Sequence, residues 1–316
     1  MDAVCGVSIK GKPYPKYKNS DVEWLGDVPE HWQLVIIKRC LDSLKDGTHG
    51  SFERVPQGIP LLSAKNVIYA RLEISENESQ ISFSDYEEIN RNGYLKCGDL
   101  LLTIVGTIGR ATIFDLVEPI AFQRSVAVLR LKRNQEAKYF YYLSQSNYFQ
   151  ANLLSRAKQS AQCGIYLSDV AQIVAISPSL SEQRAIASFL DCEIAKLDAL
   201  ITKKEQLIEL LKEKRAALIS HAVTKGLDPN VKLEPSGVSW LGEVPDHWSI
   251  TKLSHIASKI GDGLHGTPQY IDESPYHFIN GNNLLNGSIA ITDSTRCVGS
   301  SLFSVGSKVN LYSNSY

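Results

Sequence analysis

The sequence predicts an α+β chain: a mostly-β domain, then a long coiled-coil helix, then an incomplete second copy of the same domain. Three observations carry this. Residues 20–50 return at 236–266, with Trp24-Leu25-Gly26-Asp27-Val28-Pro29-Glu30-His31-Trp32 answered by Trp240-Leu241-Gly242-Glu243-Val244-Pro245-Asp246-His247-Trp248. Asp46-Gly47-Thr48-His49-Gly50 returns likewise as Asp262-Gly263-Leu264-His265-Gly266. Short β-branched runs crowd the first copy, and residues 181–223 contain neither Gly nor Pro. A repeat this long is a duplicated domain rather than a solenoid unit.

In chain order, residues 1–19 are rich in Lys and Tyr and read as an extended arm. Strands are expected at 34–41, 59–62, 100–105, 111–114 and 125–131, where apolar and β-branched residues cluster. Gly106-Thr107-Ile108-Gly109-Arg110 is a glycine-bracketed turn between two of them. Residues 139–154 have helical length and spacing, through Phe140, Leu143, Phe149 and Leu153. A last strand is expected at 171–176. Ser181 then caps a long helix, with Glu182 complementing its positive end. Along it Ile194, Leu197, Ile201, Ile208, Leu211 and Leu218 follow the alternating spacing of a coiled-coil seam, interrupted by Lys204 and Arg215. Gly226 and Pro229 stop it. The expected domains are 1–178, 179–230 and 231–316. The second copy is expected to be truncated, because the serine-rich, nearly uncharged tail from Gly299 matches nothing in the first.

Composition narrows the function. With 316 residues, 43% apolar content and net charge −1, the chain has ample material for packed cores, and bulk charge does not announce a nucleic-acid binder. Local charge differs: Arg124, Arg130, Lys132, Arg133, Lys138, Arg156 and Lys158 face a single acid, Glu136, in residues 124–158. The six cysteines are scattered with no C-x-x-C pair, which fits a reducing compartment and argues against zinc knuckles. No apolar run is long enough to span a bilayer, so no membrane partner and a cytoplasmic location are expected. Two similar domains suit a partner with two similar halves, of which duplex DNA is the commonest.

Pro178-Ser179-Leu180-Ser181-Glu182-Gln183-Arg184-Ala185-Ile186, leading into Phe189-Leu190-Asp191, resembles the central conserved region of type I restriction–modification specificity subunits. So do Leu211-Lys212-Glu213-Lys214-Arg215 and Ala222-Val223-Thr224-Lys225-Gly226-Leu227 at the far end of the helix. The paired Trp-Leu-Gly and Asp-Gly-x-His-Gly signals, and Gly98-Asp99-Leu100-Leu101 before Gly106-Thr107-Ile108-Gly109, resemble that family's target-recognition domains. The resemblance implies two recognition domains, each reading one half of a bipartite site in double-stranded DNA. It implies methyltransferase (M) subunits that use S-adenosylmethionine, and restriction (R) subunits that use ATP and Mg2+. The chain itself would be non-catalytic, with no bound cofactor and no metal. Its helix would pair with a second helix from itself, a second copy or another specificity subunit.

The candidate DNA-binding residues are Thr48, His49, Lys65, Arg110, Gln123, Arg124, Lys158, Gln159, Ser160 and Gln162. Arg and Gln side chains suit guanine and adenine edges, and the polar loop at 158–162 supplies donors and acceptors. The competing reading of the Asp-Gly-x-His-Gly loop is structural: Asp caps a turn and the glycines relax the backbone. Its near-unchanged return favours that reading, because residues that read two different half-sites should differ. Gly106–Arg110 lacks a lysine-serine ending and is no P-loop. Tyr139-Phe140-Tyr141-Tyr142 has the look of a base-stacking platform, but its helical spacing fits core packing better. A nuclease built on Asp46 and His49 is the alternative from another class, and it predicts metal-dependent DNA cleavage. An inactive remnant that docks no partner is the remaining alternative.

Overall fold

The computed structural model describes residues 14–22, 25–91, 93–158, 163–261, 263–264, 266–285, 287–300 and 302. Two compact units, Met1–Glu209 and Leu210–Tyr316, divide within the long helix. The main sheet of the first unit orders its strands Ala111–Ile113, Leu100–Thr103, Val126–Leu131 and Leu41–Asp46, all antiparallel. Its inner strands are apolar at every position except Thr103 and Arg130, because both faces are covered. Leu100, Leu102, Ala127 and Leu129 pack toward Phe140, Phe149 and Leu153. The alternate residues Leu101, Val126 and Val128 pack toward Leu62, Phe114 and Phe122. That is the two-residue period of a strand read on both sides. A smaller sheet places Ile59–Leu62 between Ala121–Phe122, parallel to it, and Gln80–Ile81, antiparallel.

Several expected elements come out divided. Residues 34–41 are not one strand. Gln33–Ile36 pairs with Val174–Ser177, a 3-10 turn follows at Ile37–Cys40, and Leu41–Asp46 joins the main sheet. The turn carries the chain from one sheet to the other while burying Ile37 and Cys40 three residues apart on one side. Residues 139–154 form two helices, Ala137–Gln145 and Asn147–Ser155. Ser146 separates them in an extended conformation, and its hydroxyl accepts from the Phe149 amide as the cap of the second helix. Residues 171–176 end a short helix, Leu167–Ala171, before the strand starts at Val174. Helix Phe83–Asn90, capped by Ser82, is not in the sequence reading at all.

The Tyr139–Tyr142 run packs inward. Tyr139 and Phe140 are buried, Tyr139 donates to Ile176 O, and Tyr142 donates to Asp191 Oδ1 at 2.7 Å. Gly106 and Gly109 both take positive φ in the turn between Leu100–Thr103 and Ala111–Ile113. Gly109 also admits Gln150, whose Oε1 would lie 2.2 Å from an added Cβ.

The long helix spans Leu180–Lys225. Ser179, not Ser181, is its cap. The Ser179 hydroxyl accepts from the Glu182 amide, while Glu182 Oε2 accepts from the Ser179 amide and hydroxyl. This reciprocal capping box needs the spacing Ser-x-x-Glu, which starts two residues before Ser181. At the far end Gly226 has φ +77° and its amide donates to Ala222 O. The seam residues Ile194, Leu197, Ile201, Ile208, Leu211 and Leu218 are all exposed, from 38% at Ile194 to 65% at Leu218. Among the described residues no helix is long and apolar enough to cross a membrane.

The second unit repeats the first at backbone level. Leu233–Pro235 pairs with Glu243–Pro245 in the register that joins Tyr17–Asn19 to Asp27–Pro29. Further on, the capping box of Asn280 and Asn283 precedes a hairpin of Leu284–Leu285 and Ser288–Ile289. It matches the box of Ser63 and Asn66 before Val67–Ile68 and Arg71–Leu72. The tail at 303–316 lies outside the described residues.

Candidate nucleic-acid interface

Asp46 ends the edge strand of the main sheet, and Gly47 carries the chain against residues 122–123. The approach is close: a Cβ on Gly47 would lie 2.1 Å from Gln123 O and 2.2 Å from Phe122 O. Gly47 N donates to Val126 O, Thr48 N to Phe122 O at 2.7 Å, and Arg124 N to Thr48 O at 3.1 Å. Thr48 and Gln123 thus form a parallel bridge, which fixes His49 and Arg124 beyond it. His49 Nε2 lies 2.6 Å from Asp46 Oδ2, so the carboxylate orients the exposed imidazole.

A second edge comes from residues 158 and 164. Lys158 N donates to Gly164 O at 2.9 Å, Ile165 N to Ile104 O at 2.9 Å, and Gly106 N to Cys163 O at 3.0 Å. Those bonds seat this edge on the segment following Leu100–Thr103. Lys158 Nζ lies 4.5 Å from the centre of the Tyr166 ring, which is 60% exposed. Between the two edges runs an open groove of about 510 Å³ lined by Asp46, His49, Val105, Arg124, Lys158 and Tyr166. Gln123 and Arg124 also line a neighbouring recess with Ser63 and Gly106.

The structure therefore brings His49, Arg124 and Lys158 together, with Thr48 and Gln123 in the scaffold beside them. It gives Lys65 a different setting. Its ammonium lies 2.8 Å from Glu78 Oε1, and Asn66 Nδ2 donates to the other oxygen. Burial alone would raise the Glu78 pKa; hydrogen bonds from Lys65 and Asn66 hold it below the ordinary carboxylate range. Arg110 follows the 106–109 turn, where its amide donates to Thr103 Oγ1, and it does not line the groove. Gln159, Ser160 and Gln162 lie outside the described residues. Tyr166 was missed by sequence reasoning; an isolated aromatic before a short helix carries no signal until the fold sets it beside Lys158. Among the described residues no group of three or more His, Cys, Asp or Glu is placed to hold a metal ion.

Residues 56–210 match the family model described as "Type I restriction modification DNA specificity domain". Those residues form a domain of the type I restriction–modification specificity family. Arg124, Lys158 and Tyr166 fall within the matched residues, whereas Asp46 and His49 precede them. The type I restriction enzyme MjaVIII specificity subunit of Methanocaldococcus jannaschii is 26% identical over 210 residues, covering 64% of this chain and 47% of that protein. The EcoBI specificity subunit of Escherichia coli is 25% identical over 234 residues, covering 70% and 46%. The chain thus spans about half the length of these curated relatives. A crystal structure of an HsdS subunit from Thermoanaerobacter tengcongensis aligns with TM-score 0.45 and 18% identity, covering 65% of this chain and 47% of that one.

Proposed function

We propose that this chain is a DNA sequence-specificity module that reads one half of a bipartite duplex site. The observation that carries this is the groove: two cations, an oriented imidazole and an exposed aromatic ring converge on rigid sheet edges. Cations of this kind neutralise phosphates, and the adjacent polar side chains suit base edges. Its role is non-catalytic and its place the cytoplasm. The exposed seam of the long helix docks methyltransferase subunits and, through them, restriction subunits, or pairs with a second specificity chain. S-adenosylmethionine, ATP and Mg2+ belong to those partners.

The test is co-expression with a methyltransferase subunit followed by methylation-site sequencing, together with DNA binding by Arg124→Ala and Lys158→Ala chains. A defined bipartite motif is expected. Each substitution that removes a phosphate contact should flatten the salt dependence by about one unit of slope. A side chain on a base edge should instead lose specific binding more than non-specific binding. Salt dependence and specificity that are unchanged in both variants would overturn the assignment of the groove. Metal-dependent cleavage by the purified chain alone would overturn the non-catalytic role.

A further inference from the structure

Strands Val126–Leu131 and Leu41–Asp46 pair antiparallel, so the start of one lies beside the end of the other. At one end of the pair stand Asp46, His49 and Arg124 of the groove. At the other end the 3-10 turn Ile37–Cys40 enters the sheet, and residues 132–133 leave it. Lys132 N donates to Cys40 O at 2.9 Å, which ties those two segments together. The extended backbone of Val126–Leu131 puts roughly 17 Å between the two ends.

Lys38, Arg39, Lys132 and Arg133 are all exposed at this far end. Among the described residues none of their side chains has a hydrogen bond or an ion pair. Cations farther along the chain differ: Lys138 is paired with Asp191, and Arg184 with Glu136. The free cations form two adjacent pairs, on segments that the Cys40 bond holds side by side. One acid accompanies them, Asp42, which shares a recess with Lys38 and Ser168. Four cations thus stand against one carboxylate. Like charges held this close repel one another, and a bound polyanion relieves that repulsion.

We propose that this end of the sheet is a second DNA-contact surface, holding the phosphate backbone of a duplex segment other than the one in the groove. The inference rests on the DNA-reading role of the groove. Two observations favour a separate segment. The edge strand between the two ends carries Asp42, Lys45 and Asp46, a net charge of −1, so no continuous track of positive charge joins them. Arg130, on the neighbouring strand, is already paired with Asp99. The groove adds an aromatic ring and an oriented imidazole to its cations, whereas the patch is built of unpaired Lys and Arg. Such contacts hold a duplex without reading its sequence. DNA is read at one end of the strand pair and gripped at the other.

The experiment uses the full chain and a duplex of arbitrary sequence about one helical turn long, roughly 10 base pairs. The number of duplexes bound per chain is counted by sedimentation at low salt. The patch variant carries Lys38→Gln, Arg39→Gln, Lys132→Gln and Arg133→Gln, and the groove variant Arg124→Ala and Lys158→Ala. The patch variant should melt as the wild type does, because its four side chains are unpaired, and should bind one duplex fewer. The groove variant should keep that duplex, with a salt slope of about three to four units. Adding Lys38→Gln and Lys132→Gln alone to the groove variant should lower that slope by about two units. An unchanged count in the patch variant overturns the proposal. So does a weaker affinity with no duplex lost, which would set the patch on the duplex already in the groove. Poly-glutamate that binds the wild type but not the patch variant, while both take up the same number of duplexes, marks a protein-docking surface and overturns it as well. A groove variant that binds as many duplexes as the wild type contradicts the groove reading alone, and the count lost by the patch variant still stands.

Discussion

Gly47→Ala tests whether the groove is held by close backbone packing. The added methyl would sit 2.1 Å from Gln123 O and 2.2 Å from Phe122 O. An ordinary carbon–oxygen contact is about 3.3 Å, so the loop must retreat by about 1 Å. Three hydrogen bonds cross that gap: Gly47 N to Val126 O, Thr48 N to Phe122 O and Arg124 N to Thr48 O. Each contributes about 0.5–1.5 kcal/mol, and an overpacked site costs about 1–3 kcal/mol. Stretching the bonds relieves the clash, so the two costs overlap and the net expectation is about 2–4 kcal/mol. At about 2–4 °C per kcal/mol for a domain of this size, melting of the first unit should fall by roughly 4–16 °C. The assay is thermal unfolding with hydrogen exchange at the Thr48 and Arg124 amides, which should lose protection. Gly263→Ala is the internal control, because the same motif position in the second unit has open space and no positive φ. Its effect should stay within about 0.5 kcal/mol. Equal effects from the two substitutions would refute the packing argument.

Arg130 forms a two-pronged pair with buried Asp99 at 2.9 and 2.7 Å and also bonds Gly93 O and Tyr94 O. Arg130→Met should destabilise the first unit by about 3–5 kcal/mol in urea unfolding, and adding Asp99→Asn should recover part of the loss. Burial alone would raise the Glu182 pKa, but hydrogen bonds from His31, Ser179 and Trp32 bring it down to about 2 from an ordinary 4.5. The stability it contributes is therefore full above pH 4.5 and lost as pH falls toward 2, and Glu182→Gln should remove that step from a Trp32-monitored acid titration. An unchanged acid profile in the variant would show that Glu182 is not the titrating group. Truncating Ile201, Ile208 and Leu211 together to Ala should leave the isolated chain's stability nearly unchanged, because all three are exposed, and should weaken association in sedimentation experiments. A large loss of stability in the isolated chain would contradict the exposed seam.

The sequence disclosed most where one local pattern sufficed. The duplicated motif was legible because it encodes a backbone platform, and both units use Gly26 and Gly242 at positive φ to build it. The long helix was legible from its apolar seam and from a run, 181–223, without Gly or Pro. The strand-to-turn break at Ile37 was not, because its cause is tertiary: the chain must leave one sheet for another. Ser146 looked like a helical residue until its hydroxyl was seen to cap Phe149. The site was half legible. Residue type alone nominated His49, Arg124 and Lys158, whereas it could not separate them from Lys65. Only the fold shows Glu78 beneath that lysine and Tyr166 beside Lys158.

The Lys65–Glu78 pair has a counterpart that bears on how the two copies can be recombined. In the second unit Asn282 stands in place of Lys65 and Thr295 in place of Glu78, and Asn283 Nδ2 donates to Thr295 Oγ1 where Asn66 Nδ2 donates to Glu78 Oε2. Each copy thus closes the same corner, buried in the first and half-buried in the second, one with an ion pair and one with a neutral hydroxyl. A chimera that exchanges residues 63–78 for 280–295 as one block moves lock and key together. A crossover falling between the two positions strands a buried carboxylate opposite asparagine in one product and leaves lysine facing threonine in the other. The corner therefore marks 63–78 as an indivisible cassette within the duplicated domain.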